Sequence, residues 1–223
     1  EEWTAEEFAE IDLKEERLNK RCREIAWSLG EQPSAPINQA CEDWADTKAA
    51  YRFFDNDKVQ PEKITEPHRQ RTIVRMKAHE LVLAVQDTTF FNYTHHPKTE
   101  GLGEIGNKQQ NQRGFGMHST LAVTPTGMPL GVLTQAFFTR PIGEPAHKPN
   151  EVRKLPIEEK ESYRWIEAFE QTLALAPDDT EVVTVCDREA DIYEMFVVAQ
   201  EKNNASLLVR ANVDRCLDEQ EGI

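Results

Sequence analysis

From residue 81 onward the chain alternates short apolar, β-branched runs with amphipathic ones, and this order restricts the fold most. LVLAVQDTTFF (81–91), GFGMHSTLAVTP (114–125) and MPLGVLTQAFFTR (128–140) read as strands, the last two joined across TPTG. IEEKESYRWIEAFEQTLALA reads as an amphipathic helix, TEVVTVCD as a strand, READIYEMFVVAQEK as a helix and ASLLVRAN as a strand. The predicted order β-β-β-α-β-α-β implies the α/β class: a mixed sheet covered by helices.

Residues 1–78 carry few strand signals and read as a separate helical region, leaving 79–223 as the second domain. Thr4 followed by Glu7 forms a capping-box pattern opening a short helix. In 14–30 a helix is predicted, because Leu18, Cys22, Ile25, Ala26 and Leu29 fall on one face, with Gly30 at the C-terminal cap. QPSAP breaks the chain. INQACEDW and ADTKAAYRFFDN then read as two short helices around a turn, and PEKITEPHRQRTIVRMKAHE as a longer one.

The totals exclude several classes. No apolar run approaches the roughly 18 residues a membrane helix needs, so no membrane partner is expected. Cys22, Cys41, Cys186 and Cys216 are scattered without a CxxC pair and read as reduced core residues of a cytoplasmic protein. A net charge of −14 opposes broad affinity for nucleic acid, which comes mainly from Lys and Arg neutralising phosphates. The chain starts at Glu1 rather than Met, so a longer parent is expected.

Asp87 ends the apolar half of the first strand, and Asp187 ends the fourth. Sites of open α/β sheets form beyond the carboxyl ends of the strands, where two such carboxylates would converge if the strands are neighbours. Converged carboxylates repel unless a cation lies between them, and hard oxygen donors suit Mg²⁺ or Mn²⁺. Such ions activate water and stabilise a leaving oxygen in phosphoryl transfer. Each aspartate alone is equally at home as a strand-end turn former or a helix cap. Glu189 is expected in the first turn of the following helix, where the dipole favours it.

VQDTTFFNY, GLGEIGNKQQNQRGFGMHS, PLGVLTQAFFTRP, EEKESYRWIEA and VVTVCDREADIY, together with WADTKAAYRFFDN, resemble the cut-and-paste DDE transposases of insertion-sequence family four. CDREADIY and AYRFFDN are the most specific pieces. The resemblance implies a bacterial, nucleoid-associated protein. It implies a ribonuclease-H-like core that is incomplete here, and an N-terminal region binding transposon-end DNA. It further implies double-stranded end and target DNA as partners, a homodimer in the synaptic complex, and Asp87 and Asp187 as the first two acids of a Mg²⁺ (or Mn²⁺) triad. The family's third acid is a Glu within a Tyr-Arg-Glu-Lys signature beyond the second Asp. No such segment occurs before Ile223, so this chain is expected to be inactive alone.

Basic residues carry the DNA reading. Arg17, Lys20, Arg21, Lys48 and Arg52 lie in the segments matching the family's end-recognition region. Arg17 with Arg21, and Lys48 with Arg52, are i, i+4 pairs sharing a helix face. A charged face paired with Glu15, Glu16 and Glu24 competes evenly with that reading. Arg140, Arg188 and Arg210 border the core strands, and guanidinium suits phosphate. The resemblance places Arg210 along the DNA path, whereas Arg188 would alternatively brace Asp187 or the neighbouring acids. The GxGxxG of Gly101, Gly103 and Gly106 lacks the strand-before, helix-after context of a dinucleotide site and reads as a loop. His118 beside Ser119 reads as a core histidine, and His95 and His96 as surface. Two other readings stay open: a DNA-binding module or transposition inhibitor without catalysis, and a different metal-dependent nuclease or phosphatase.

Overall fold

The computed structural model describes residues 2–106, 111–143, 154–202, 205–212 and 214. The chain divides into two compact units, 1–74 and 75–223.

The first unit is helical: α1 (Glu2–Glu7), α2 (Glu16–Glu31), α3 (Ile37–Ala40), α4 (Trp44–Phe54) and most of α5 (Pro61–Met76). The apolar stripe of α2 buries Leu18, Cys22 and Ile25 against Ile11, Leu13, Cys41, Ala50 and Phe53. Asp43 caps α4, its Oδ1 accepting the Asp46 N–H at 2.8 Å. Two local readings are corrected. Thr4 is buried inside α1, which begins at Glu2, rather than capping it. Gly30 lies within α2, which runs on to Glu31; a Cβ at Gly30 would come 2.6 Å from Trp3 Cζ2. Glycine there admits the Trp3 ring onto the helix backbone.

The second unit is an α/β sheet. Its strands are β1 (Leu81–Asn92), β2 (Gly103–Ile105), β3 (Gln112–Val123), β4 (Pro129–Phe138), β5 (Glu181–Cys186) and β6 (Ser206–Val209); its helices are α6 (Tyr163–Leu175) and α7 (Tyr193–Glu201). The order is β2-β3-β1-β5-β6, with β4 also paired to β3. β1, β3 and β4 pair antiparallel, while β1–β5 and β5–β6 are parallel. Three antiparallel strands continued by two parallel ones are the arrangement of a ribonuclease-H-like mixed sheet.

Alternation decides which face is covered. Val82, Ala84, Gln86, Val182, Thr184 and Cys186 are buried, and Trp165, Ile166 and Phe169 of α6 belong to the core that includes Cys186, Ala190 and Met195. Gln86 and His118 lie within this apolar layer, 2% and 1% exposed. The Gln86 amide meets its neighbours with its oxygen toward the Phe169 N–H and its nitrogen toward the Trp165 carbonyl and His118 Nε2. His118 Nδ1 lies 2.9 Å from Thr88 Oγ1, and its ring stands edge-on to Trp165. His118 is thus a satisfied core histidine. Burial, with help from the Arg164 charge, pushes its pKa down to about 4.

The glycine-rich segment contains a strand missed by its polar composition: β2 pairs with the start of β3. Gly103 is required there, because a Cβ would lie 2.2 Å from the Arg140 carbonyl oxygen. READ is also not the start of a helix. Residues Arg188–Ala190 make one 3-10 turn and α7 begins only at Tyr193, so Glu189 lies outside the helix whose dipole it was expected to meet. Cys22, Cys41 and Cys186 are free and buried, and burial raises the Cys22 thiol to about 11 and Cys186 to about 12. Cys216 lies outside the described residues. Among the described residues no helix is long and apolar enough to cross a membrane.

Candidate functional site

In the β1–β5 ladder each β1 residue pairs with the β5 residue numbered 100 higher, from Leu81↔Glu181 to Val85↔Val185. Continuing that register two residues past Val85 brings Asp87 level with Asp187. On the other side β1 pairs Asp87 with Ser119, and β5 pairs Cys186 with Val209, so Arg210 stands level with Asp187. The Arg210 N–H continues the ladder by donating to the Cys186 carbonyl at 3.1 Å. A row Ser119, Asp87, Asp187, Arg210 therefore crosses the sheet just past the carboxyl end of β5, where the β1–β5 ladder stops; β1 itself runs on through Asp87 to Asn92, paired only with β3.

Both aspartates are exposed. Asp187 does act as a cap, its Oδ1 accepting the Glu189 N–H at 2.8 Å, which leaves the second oxygen uncommitted. The Asp87 carboxylate makes no hydrogen bond or ion pair with the described residues. Among the described residues Ser119 Oγ has no partner; it is buried at the strand position paired with Asp87. This donor set of two carboxylates and an unsatisfied hydroxyl fits a hard divalent cation, short of a full shell. Among the described residues no group of three or more His, Cys, Asp and Glu could hold a metal ion.

An arginine that the sequence reading did not single out joins β1 to the turn after β5. Arg164, in the first turn of α6, has a side chain 12% exposed. Its Nε donates to Thr88 Oγ1 (3.2 Å), Nη1 to the Glu161 carbonyl (2.7 Å) and carboxylate (3.1 Å), and Nη2 to Glu189 Oε2 (2.9 Å). Its guanidinium carbon also lies 5.1 Å from the Phe138 ring centroid. The available signal was an arginine directly before Trp165 in the buried stripe of an amphipathic helix, where a charged side chain needs partners.

The other arginines differ in freedom. Arg140 is held by Glu161 in a two-pronged pair and stacks over Phe90. Burial alone would raise the Glu161 pKa, but the Arg140 and Arg164 bonds outweigh it and hold the carboxyl below its ordinary value; Arg140 is raised by the same pairing. Arg188 is exposed and pairs with none of the described acids, so the bracing expected of it falls to Arg164.

In the helical unit the basic residues separate into two groups. Arg17 pairs with Glu15, Lys20 with Glu24 (3.7 Å), and Arg21 with Glu24 (3.1 Å) and Asp46 (3.0 Å). The paired-face reading holds for α2. Lys48 and Arg52 are exposed and form no ion pair with the described residues. They share a face of α4 with Trp44 and Tyr51, 75% and 54% exposed, at i, i+4, i+7 and i+8. That face combines cation and aromatic surface; the exposed Asp55 stands at its C-terminal end, but neither cation forms an ion pair with the described residues.

Residues 1–59 match a family model described as transposase DNA-binding. Two solved structures resemble the chain weakly. The Mos1 strand transfer complex is 14% identical, with 85% of this chain and 58% of that chain covered, at a TM-score of 0.29. A pre-cleavage Mos1 transpososome is 13% identical, with 85% and 59% covered, at a TM-score of 0.23. The chain thus spans less than two thirds of the length of either. The family match concerns the helical unit, and the reading of the sheet rests on its own topology and register.

Proposed function

We propose that the chain is the DNA-binding and partial catalytic portion of a DDE transposase of the cut-and-paste type, related to insertion-sequence family four. The observation that carries the catalytic part is the β1–β5 register, which, continued two residues past its last pair Val85↔Val185, puts Asp87 level with Asp187 where the two strands part. The DNA-binding part is supported by the match of residues 1–59 and by the exposed Trp44, Lys48, Tyr51 and Arg52 face of α4, whose cations form no ion pair with the described residues.

On this reading α4 presents cations and flat apolar surface to duplex DNA. Lys48 and Arg52 hold phosphates or base edges, and Trp44 and Tyr51 add contact area. Asp87 and Asp187 would hold Mg²⁺ or Mn²⁺. When bound, the ion supplies Lewis acidity and lowers the pKa of water for attack on a phosphodiester. Asp187 keeps one oxygen on the Glu189 N–H, and the other would serve the ion. Arg210, exposed beside Asp187, offers a forked donor to a phosphate of the bound strand. A homodimer in the synaptic complex, a hairpin intermediate and strand transfer into target DNA belong to the same proposal for the longer protein, in bacteria.

A second reading is favoured by one observation: among the described residues no group of three or more His, Cys, Asp and Glu could hold a metal ion. A chain with two donors would bind DNA ends without cutting and act as a module or inhibitor. The test incubates a supercoiled plasmid carrying the element's ends with Mg²⁺ and either this chain or the gene-length protein. Cleavage by the gene-length protein, lost on Asp187→Asn, supports the transposase reading. Cleavage that survives Asp187→Asn overturns it.

A further inference from the structure

Thr88 directly follows Asp87, and Glu189 is the residue whose N–H binds Asp187. Arg164 holds both, Thr88 Oγ1 at 3.2 Å and Glu189 Oε2 at 2.9 Å. Successive strand residues point to opposite faces, so Thr88 projects toward α6 and Asp87 away from it. A continuous chain of bonds therefore runs from the Asp187 carboxylate through Glu189 and the Arg164 guanidinium to Thr88, and through the backbone to Asp87. We propose that Arg164 is a positioning residue that sets the spacing of Asp87 and Asp187 from behind the sheet.

Three observations separate this role from an ordinary surface ion pair. The Arg164 side chain is 12% exposed, and its contacts occupy four of the five N–H donors that a guanidinium carries. It is therefore not available to a phosphate. Its partners belong to two different segments, Thr88 within β1 and Glu189 just after β5, and only a planar fork reaches both at once. The fork is itself oriented. Glu161 accepts from Arg164 while locked by Arg140 on both carboxylate oxygens, and Thr88 is held from its other side by His118. Arg140, Glu161, Arg164 and Glu189 form one alternating series of charges ending at the aspartates. A rigid mount matters here because β1 and β5 share no ladder pairing beyond Val85↔Val185. Backbone hydrogen bonding alone leaves the Asp87–Asp187 gap free to widen under like-charge repulsion.

This role rests on the reading of the two aspartates as metal holders, and the experiment separates the two. Mn²⁺ is titrated calorimetrically into the full 223-residue chain, Arg164→Lys and Asp187→Ala, with a thermal melt of each. Lysine keeps the charge but cannot fork to Thr88 and Glu189 together. The expected result is a Kd for Mn²⁺ raised about tenfold or more in Arg164→Lys, as for outer partners of metal ligands, and binding lost in Asp187→Ala. If Asp187→Ala loses the ion while a folded Arg164→Lys binds as wild type, the positioning role is wrong and the metal reading stands. Equal binding by all three overturns both. Should Arg164→Lys fail to melt cooperatively, Thr88→Val cuts the β1 arm alone. A Kd raised severalfold supports the role, and an unchanged one overturns it.

Discussion

Arg140 and Glu161 grip each other through two parallel bonds, Nε and Nη2 each 2.7 Å from a carboxylate oxygen. The pair fixes the approach of the α6 N-terminus to the end of β4. The folded state holds the Glu161 carboxyl below its ordinary value of 4.5, against the opposing effect of burial. The depressed pKa means the unfolded chain binds the proton first as pH falls. The contribution is therefore complete above the unfolded value and is lost as pH drops below about 4.5 toward the lower folded value. Melting curves of wild type and Glu161→Gln should differ at neutral pH and converge in acid. A difference that persists unchanged to low pH would refute this assignment.

His118 gives a second pH dependence, with a different window. It is neutral in the folded chain because burial, then the Arg164 charge, lowers its pKa from 6.5 to about 4. Between those values the unfolded chain takes up a proton that the folded chain refuses, so stability falls as pH drops from 6.5 to 4 and then levels for this group. The linkage is of the order of 3 kcal/mol over the window. In His118→Gln the slope of stability against pH between 6.5 and 4 should flatten, whatever its absolute stability. An unchanged slope would show that the imidazole is solvated or charged in the fold.

These two groups also mark how far the sequence could be read. The β-branched runs, their order and the aspartate that follows the apolar residues of β1 and of β5 were legible, because strand alternation and apolar periodicity are local properties; that β1 runs on through Asp87 to Asn92 shows only in its pairing with β3. So was the α2 stripe of Leu18, Cys22 and Ile25. The DNA candidates on α2 and α4 looked alike in one dimension. They separate only when Asp46, 25 residues along the chain from Arg21, comes to neutralise it. Arg164 escaped notice for the same reason: its partners Thr88 and Glu189 are 76 and 25 residues away. Gly30 and Gly103 were misread because a close approach by Trp3 or by the Arg140 backbone leaves no periodic signature.

Gly114 sits where β3 meets both β1 and β2, paired with Asn92 and Gly103. An added Cβ would lie 1.8 Å from the Phe91 carbonyl oxygen, a backbone atom that cannot swing aside, and 2.9 Å from Ile105 Cδ1. Gly114→Ala should therefore force the strands apart and cost about 1–3 kcal/mol, the range for overpacking. Gly127 is the control. It lies in the β3–β4 turn with φ +89° and nothing within 4 Å of a Cβ, so Gly127→Ala meets only backbone strain, about 1 kcal/mol. Urea unfolding of both variants checks the order, and a milder effect at Gly114 would contradict the packing seen here.

Phe169 is fully buried on α6 in the layer that holds Trp165, Met195 and Cys186 beneath the candidate site. Phe169→Ala should cost about 3–5 kcal/mol through lost transfer energy and the cavity left behind. Its N–H also meets the Gln86 amide, so the damage should spread to the His118 and Thr88 contacts. Near-ultraviolet circular dichroism of Trp165 and its neighbours would report this. A small loss of stability with an unchanged aromatic signal would mean the layer is looser than its burial implies.

The last prediction separates the two basic surfaces of the helical unit. Affinity for duplex DNA falls with salt in proportion to the number of phosphates neutralised, about 0.9 in the log–log slope for each contact. Lys48 and Arg52 are exposed and unpaired among the described residues, so each gives its full charge to a phosphate. Arg17 and Arg21 must first give up Glu15, or Glu24 and Asp46. Lys48→Ala and Arg52→Ala should each weaken binding to end DNA and reduce the slope by close to one, whereas Arg17→Ala should change it little. Trp44, 75% exposed on the same face, supplies a spectroscopic check, because contact with bases should quench its emission and Trp44→Phe should remove that change. The net charge of −14 sharpens the test: a chain repelled by DNA on average must bind through a local patch, so losing two cations there should abolish binding at physiological salt. If instead Arg17→Ala and Arg21→Ala are the damaging substitutions, the acids of α2 yield to DNA, and the interface belongs on α2 rather than α4.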